Sequence, residues 1–138
     1  MYIDSNIFIF AALDRSDLGD NCRKILDMIQ NGDLTCASSY LTIDEVIWII
    51  KKKLGKEKAV KIANAALSLP VRWIDVDREI IHRMIDHFGD QDLDPRDCLH
   101  LSSMRSSGIN TILSEDQDFD TVKGIRRLGV GDLLKDIE

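Results

Sequence analysis

Four short, mostly apolar segments recur along the chain: Tyr2–Asp4, Leu34–Ala37, Val71–Ile74 and Thr111–Leu113. Longer stretches with apolar residues at helical spacing separate them. Short strands alternating with helices confine the chain to an α/β domain with a parallel sheet, because parallel neighbours need a crossover between them. Ile7–Leu13 reads as a helical turn or short helix. Asn21–Gln30 carries Cys22, Ile25, Leu26 and Ile29 on one face and stops at Asn31-Gly32. Ser38 or Ser39 is placed to cap a helix reaching about Leu54, with Ile43, Val46, Ile47 and Ile50 inward. Gly55 breaks it, and Lys56–Leu67 and Asp77–Phe88 form two more. Asp94-Pro95 starts a helix with proline at its first position, ending before Gly108. Ile125–Leu128 is a fifth strand and Gly131–Ile137 a closing helix.

A chain of 138 residues reads as one domain, residues 1–138. It buries roughly two-thirds of its unfolded surface. Hydrophobic content of 44% with 30% charged residues marks a soluble globular protein. The longest apolar runs, IFIFAAL and VIWII, are too short to span a bilayer, and the first residues lack the pattern of a secretion signal. With Cys22, Cys36 and Cys98 widely spaced and no CxxC pair, a cytoplasmic protein with reduced thiols is expected. The net charge of −6 disfavours the surface as a whole as a nucleic-acid face, but leaves local strips. Lys51, Lys52, Lys53, Lys56, Lys58 and Lys61 form one group, and Lys123, Arg126 and Arg127 another; both also read as solvated helix ends.

The opening MYIDSNIFIF sets a carboxylate, Asp4, in a segment that should be buried, and an unpaired buried charge is costly. In open α/β sheets ligands bind beyond the carboxyl ends of the strands, an edge shared with the helix N-termini. Asp4 ends the first strand. Glu45 falls in the early turns of the helix after the second. Asp97 lies in the first turn of the helix beginning at Pro95. That helix travels roughly 18 Å from the edge, and strand Thr111–Leu113 returns, delivering Ser114, Glu115, Asp116, Gln117 and Asp118 beside Asp97. Ordinary roles compete: Asp97 complements a helix dipole, Thr42 with Glu45 spells a capping box, and Asp116 and Asp118 suit a turn.

Carboxylates gathered on a partly buried edge raise one another's pKa, and a divalent cation reverses that repulsion. An all-oxygen set suits Mg²⁺ or Mn²⁺ rather than zinc, and the chemistry it serves best is phosphodiester cleavage.

YIDSNIFIF, SSYLTIDEVIWII, DPRDCLHLSSM and TILSEDQDFD, in that order, resemble the motifs of PIN-domain proteins, from residue 2 to about residue 120. The resemblance implies a three-layer α/β/α sandwich with a central parallel sheet of four or five strands. It implies a Mg²⁺- or Mn²⁺-dependent endoribonuclease acting on RNA and forming a homodimer. In chains of this size it further implies a VapC-type toxin, inhibited by an antitoxin protein that occupies the active-site groove. Carried over residue by residue, Asp4, Glu45, Asp97 and Asp116 form the metal-binding and catalytic quartet, Asp118 is a further acid, and Asn6 and Ser114 support it. Glu115, Asp116, Asp118 and Asp120 all remain open for the fourth position.

Two other readings stand beside this one. A phosphatase with Asp4 as nucleophile resembles haloacid-dehalogenase-like enzymes, but those carry a second Asp where this chain has Asn6. A non-catalytic RNA- or protein-binding module fits the acidic surface. His82, His87 and His100 form no zinc-like group. His100, three residues after Asp97, either faces the site or satisfies a core hydrogen bond, the second being preferred. Trp48 and Trp73 read as core, with an interface role open to Trp48.

Overall fold

The computed structural model describes residues 1–138. Strands β1 (Tyr2–Ile3), β2 (Ala37–Ser39), β3 (Arg72–Ile74), β4 (Thr111–Leu113) and β5 (Arg126–Leu128) form one sheet in the order β3-β2-β1-β4-β5. All four pairings are parallel, with Tyr2 beside Ala37 and Ile112. Seven helices flank it: α1 (Ser5–Leu13), α2 (Asp17–Asn31), α3 (Leu41–Leu54), α4 (Lys56–Leu67), α5 (Arg78–Asp90), α6 (Pro95–Ser106) and α7 (Val130–Ile137).

The period of two along each strand divides the core. Ile3, Leu113 and Leu128 point into the larger cluster, with Phe8, Cys22, Ile25, Ile29, Val46, Ile50 and Leu133 of the helices on that face. Tyr2 and Ile112 point the other way, onto Met104 and Phe119. Leu93, Cys98, Leu101 and Val122 extend that second side. Helices on both faces of one parallel sheet make the expected three-layer sandwich. No helix is long and apolar enough to cross a membrane.

Local signals explain most boundaries. Ser16 caps α2 by accepting from Leu18 N, and Gly32, at φ +82°, ends it in the left-handed conformation that glycine adopts without a Cβ penalty. Asp77 caps α5 through Ile80 N, and Pro95 opens α6.

The second strand and the helix after it depart from expectation. The strand is Ala37–Ser39 rather than Leu34–Ala37, and neither serine caps α3. Their polar groups are used across the sheet instead: Ser38 Oγ donates to Ile3 O at 2.8 Å and shares a bond with Thr42 Oγ1, while Ser39 N donates to the Tyr2 hydroxyl at 3.0 Å. Satisfied in this way, the Ser38 hydroxyl tolerates complete burial, whereas Ser39 pairs only through its backbone and its Oγ is buried without a partner. α3 therefore starts at Leu41 with no side-chain cap, and no Thr42–Glu45 capping box forms. Ile47 and Trp48, expected inward, are exposed, with Lys52 Nζ 4.3 Å from the Trp48 ring centre. Trp73 is partly buried against the larger cluster, as expected.

Candidate active site

Asp4 follows β1 directly and occupies the N-cap position of α1. Its amide continues the ladder to Leu113 O at 3.1 Å, so backbone pairing with β4 fixes its position. Only 4% exposed, it has both carboxylate oxygens occupied. Ser5 Oγ donates to Oδ1 at 3.3 Å, and Asn6 Nδ2 and Ser114 Oγ donate to Oδ2 at 2.9 and 2.6 Å. Ser114 Oγ in turn accepts from Asn6 Nδ2 and from the Asp116 amide, which ties the end of β1 to the turn after β4.

Asp97 sits in the first turn of α6. Asp116 precedes a short 3-10 helix, Gln117–Thr121, which it caps by accepting from Asp118 N at 2.9 Å. Asp97, Asp116 and Asp118 each bring a carboxylate oxygen within 4.8 Å of the other two. Burial, then the charges of Asp116, Asp4 and Glu45, push the Asp97 carboxyl up to about 7, the partial opposition of His100 notwithstanding.

The crowded SEDQDFD stretch separates into two roles. Glu115 Oε1 accepts the Val130 amide at 2.7 Å and so serves the start of α7. Asp120 forms a two-pronged pair with Arg127 at 2.9 and 3.1 Å. Asp116 and Asp118 are left facing Asp97.

Glu45 projects from the second turn of α3 toward α6 and meets His100 Nε2 at 2.5 Å. His100 is fully buried, and its other ring nitrogen lies 2.6 Å from the Tyr2 hydroxyl. Asp4 Oδ1 stands 3.9 Å from Nε2. Burial opposes charge on this imidazole, but Tyr2, the Glu45 hydrogen bond and the charges of Asp4 and Glu45 outweigh it, holding its pKa well above the ordinary value. The core role expected of His100 is therefore only half of what it does. Its place one helical turn after Asp97 was the available signal.

The edge thus gathers Asp97, Asp116 and Asp118 as one group, with Asp4 and Glu45 joined beside it through His100. The chemistry of these donors fits a hard divalent cation: all are carboxylate oxygens, and Asn6 Oδ1 is buried there without a hydrogen-bond partner. Away from this edge, a groove of about 440 Å³ lies between α1, α2 and α4, lined by Phe8, Ala11, Ala12, Leu26, Ile62 and Leu69 among others.

The family model for the PIN domain matches residues 1–125. Among solved structures, the chain is similar to Mycobacterium tuberculosis VapC20, described as a sarcin-ricin-loop-cleaving toxin. The TM-score is 0.71 at 15% identity, over 86% of this chain and 92% of that one. It is similar to DNA-bound VapBC from Salmonella typhimurium, with a TM-score of 0.72 at 17% identity, over 94% and 96% of the two chains. VapBC2 from Rickettsia felis, bound to a promoter DNA fragment, gives 0.71 at 16% identity, over 93% and 96%. A search of curated protein sequences found no match.

Proposed function

The chain belongs to the PIN-domain family, and from that premise we propose that it is a Mg²⁺- or Mn²⁺-dependent endoribonuclease and the toxin of a toxin–antitoxin pair. The observation that carries this reading is the convergence of Asp97, Asp116 and Asp118 within 4.8 Å at the sheet edge where Asp4 ends β1. Asp4, Glu45, Asp97 and Asp116 hold the cation, and Asp118 offers a further oxygen. When bound, the cation supplies charge neutralisation at the scissile phosphate and a lowered pKa for the attacking water.

This chain's own residues contribute position and proton balance. Ser114 and Asn6 fix the Asp4 carboxylate, so it meets a ligand with little reorganisation. Asp97 keeps its proton to about pH 7 and gives it up when a cation arrives. A phosphatase with Asp4 as nucleophile fits less well, because Asn6 stands where a second acid is needed.

The partners follow from the same reading. Structural neighbours solved as toxin–antitoxin or VapBC complexes favour an antitoxin here, and the apolar groove between α1, α2 and α4 offers a partner helix a seat distinct from the acidic edge. Exposed Ile81, Ile85 and Phe88 on α5 give a second copy an apolar surface to cover. Three buried, unpaired cysteines fit the reducing cytoplasm.

The test is RNA cleavage by purified protein with Mg²⁺ or Mn²⁺, with chelator, and by D97N. The reading expects cleavage that chelator abolishes and D97N lowers by more than about 100-fold, beyond the usual effect of a supporting residue. RNA binding without any cleavage would establish the non-catalytic alternative.

A further inference from the structure

We propose that His100 is a positioning residue that clamps Oε1 of Glu45 and, held in turn by Tyr2, leaves Oε2 to meet the cation at the acidic edge. The inference rests on the nuclease reading above and adds to it a residue outside the acidic set.

The hydrogen-bond inventory carries it. Ser39 N donates to the Tyr2 oxygen at 3.0 Å, and that hydroxyl lies 2.6 Å from His100 Nδ1. When the hydroxyl donates, Nδ1 is bare and Nε2 carries the proton. When the ring is charged, both nitrogens carry protons. Either way Nε2–H points at Glu45 Oε1, 2.5 Å away. The remaining tautomer would set a bare Nε2 against a carboxylate oxygen, lone pair against lone pair, which the 2.5 Å approach opposes.

The ring cannot turn away. His100 and Tyr2 are both fully buried, and their rings meet edge to face at 5.5 Å. Tyr2 belongs to β1 and Ser39 to β2, so the clamp is referenced to two paired strands. Glu45, by contrast, projects from a helix with no side-chain cap. Glu45 also makes no other side-chain hydrogen bond, so without His100 its long side chain is free to sample other rotamers. Asp4 needs no such help, since Ser5, Asn6 and Ser114 already hold it.

The experiment measures Mn²⁺ affinity by calorimetry for wild type, H100L, H100Q, Y2F, E45A and E45A/H100L, with thermal melts to confirm folding. H100L is expected to lose about 10–100-fold in affinity, the range for residues that orient a metal ligand. H100Q, whose amide N–H takes the place of Nε2–H, restores most of it, and Y2F loses less than H100L. In the E45A background H100L costs nothing more, a result that general loss of structure would not give. The clamp is overturned if H100L binds Mn²⁺ as wild type does, or if H100L costs as much without Glu45 as with it. Should H100L not fold, nitrogen NMR of the wild-type ring decides: a proton on Nε2 across the folded pH range supports the clamp, and a bare Nε2 overturns it. Wild type that takes up no Mn²⁺ overturns the nuclease reading itself, an outcome separate from Mn²⁺ uptake unaffected by His100.

Discussion

Asp97 is the side chain whose surroundings most oppose its charge, through burial first and then Asp116 and Asp4. The unfolded carboxyl keeps its ordinary value of 3.8, and the folded one is raised to about 7. Its contribution to stability is therefore present below the unfolded value and lost as pH rises toward 7. Chemical denaturation of metal-free protein at a series of pH values should show this loss, and D97N should flatten it. Mn²⁺ affinity should run the other way, weakening as pH falls below about 7, because the cation must then displace a proton. At this scale the sequence was informative where position alone sorted the acids: strand end for Asp4, helix start for Asp97. It could not separate Glu115 and Asp120 from Asp116 and Asp118. That separation depends on the Val130 amide and Arg127, which only the folded chain brings within reach.

The junction between β2 and α3 is the element where local reading and structure part. Ser38 and Ser39 look like helix caps beside an apolar run, yet they are interior strand residues whose partners lie across the sheet. Only the pairing of β2 with β1 reveals this, and no local window contains that pairing. β4, whose apolar run stands isolated between turn signals, was legible to the residue. The start of α6 was equally plain from Pro95, although its burial on nearly every side hides any amphipathic pattern. Because Ser38 Oγ joins Ile3 O and Thr42 Oγ1 inside the core, S38A should destabilise by about 1–3 kcal/mol by leaving buried groups unpaired. A shift in the denaturant midpoint with an unchanged slope checks it.

The sheet order decides the function proposed for the whole molecule. With β1 central and β4 beside it, Asp4, Ser114 and the start of α6 share one edge, although 110 positions separate Ser114 from Asp4. Alternating strands and helices made the sandwich legible in advance, and strand ends made its acidic edge legible. The surfaces were not, because apolar residues exposed on a helix follow the same spacing as buried ones. Ile85 and Phe88 are such a case, at 57% and 54% exposed. If a second copy covers them, the double variant I85E/F88E should run as a monomer by light scattering where wild type runs as a dimer, with its melting curve little changed.

The proposed chemistry requires this edge to bind a divalent cation. Anomalous scattering from a crystal grown with Mn²⁺ would locate that ion. A peak is expected between Asp97 and Asp116, with carboxylate oxygens at roughly 2.0–2.2 Å and Asp4 touching the ion directly or through one water. A fully diffracting crystal in saturating Mn²⁺ with no peak at this edge would contradict the proposed chemistry.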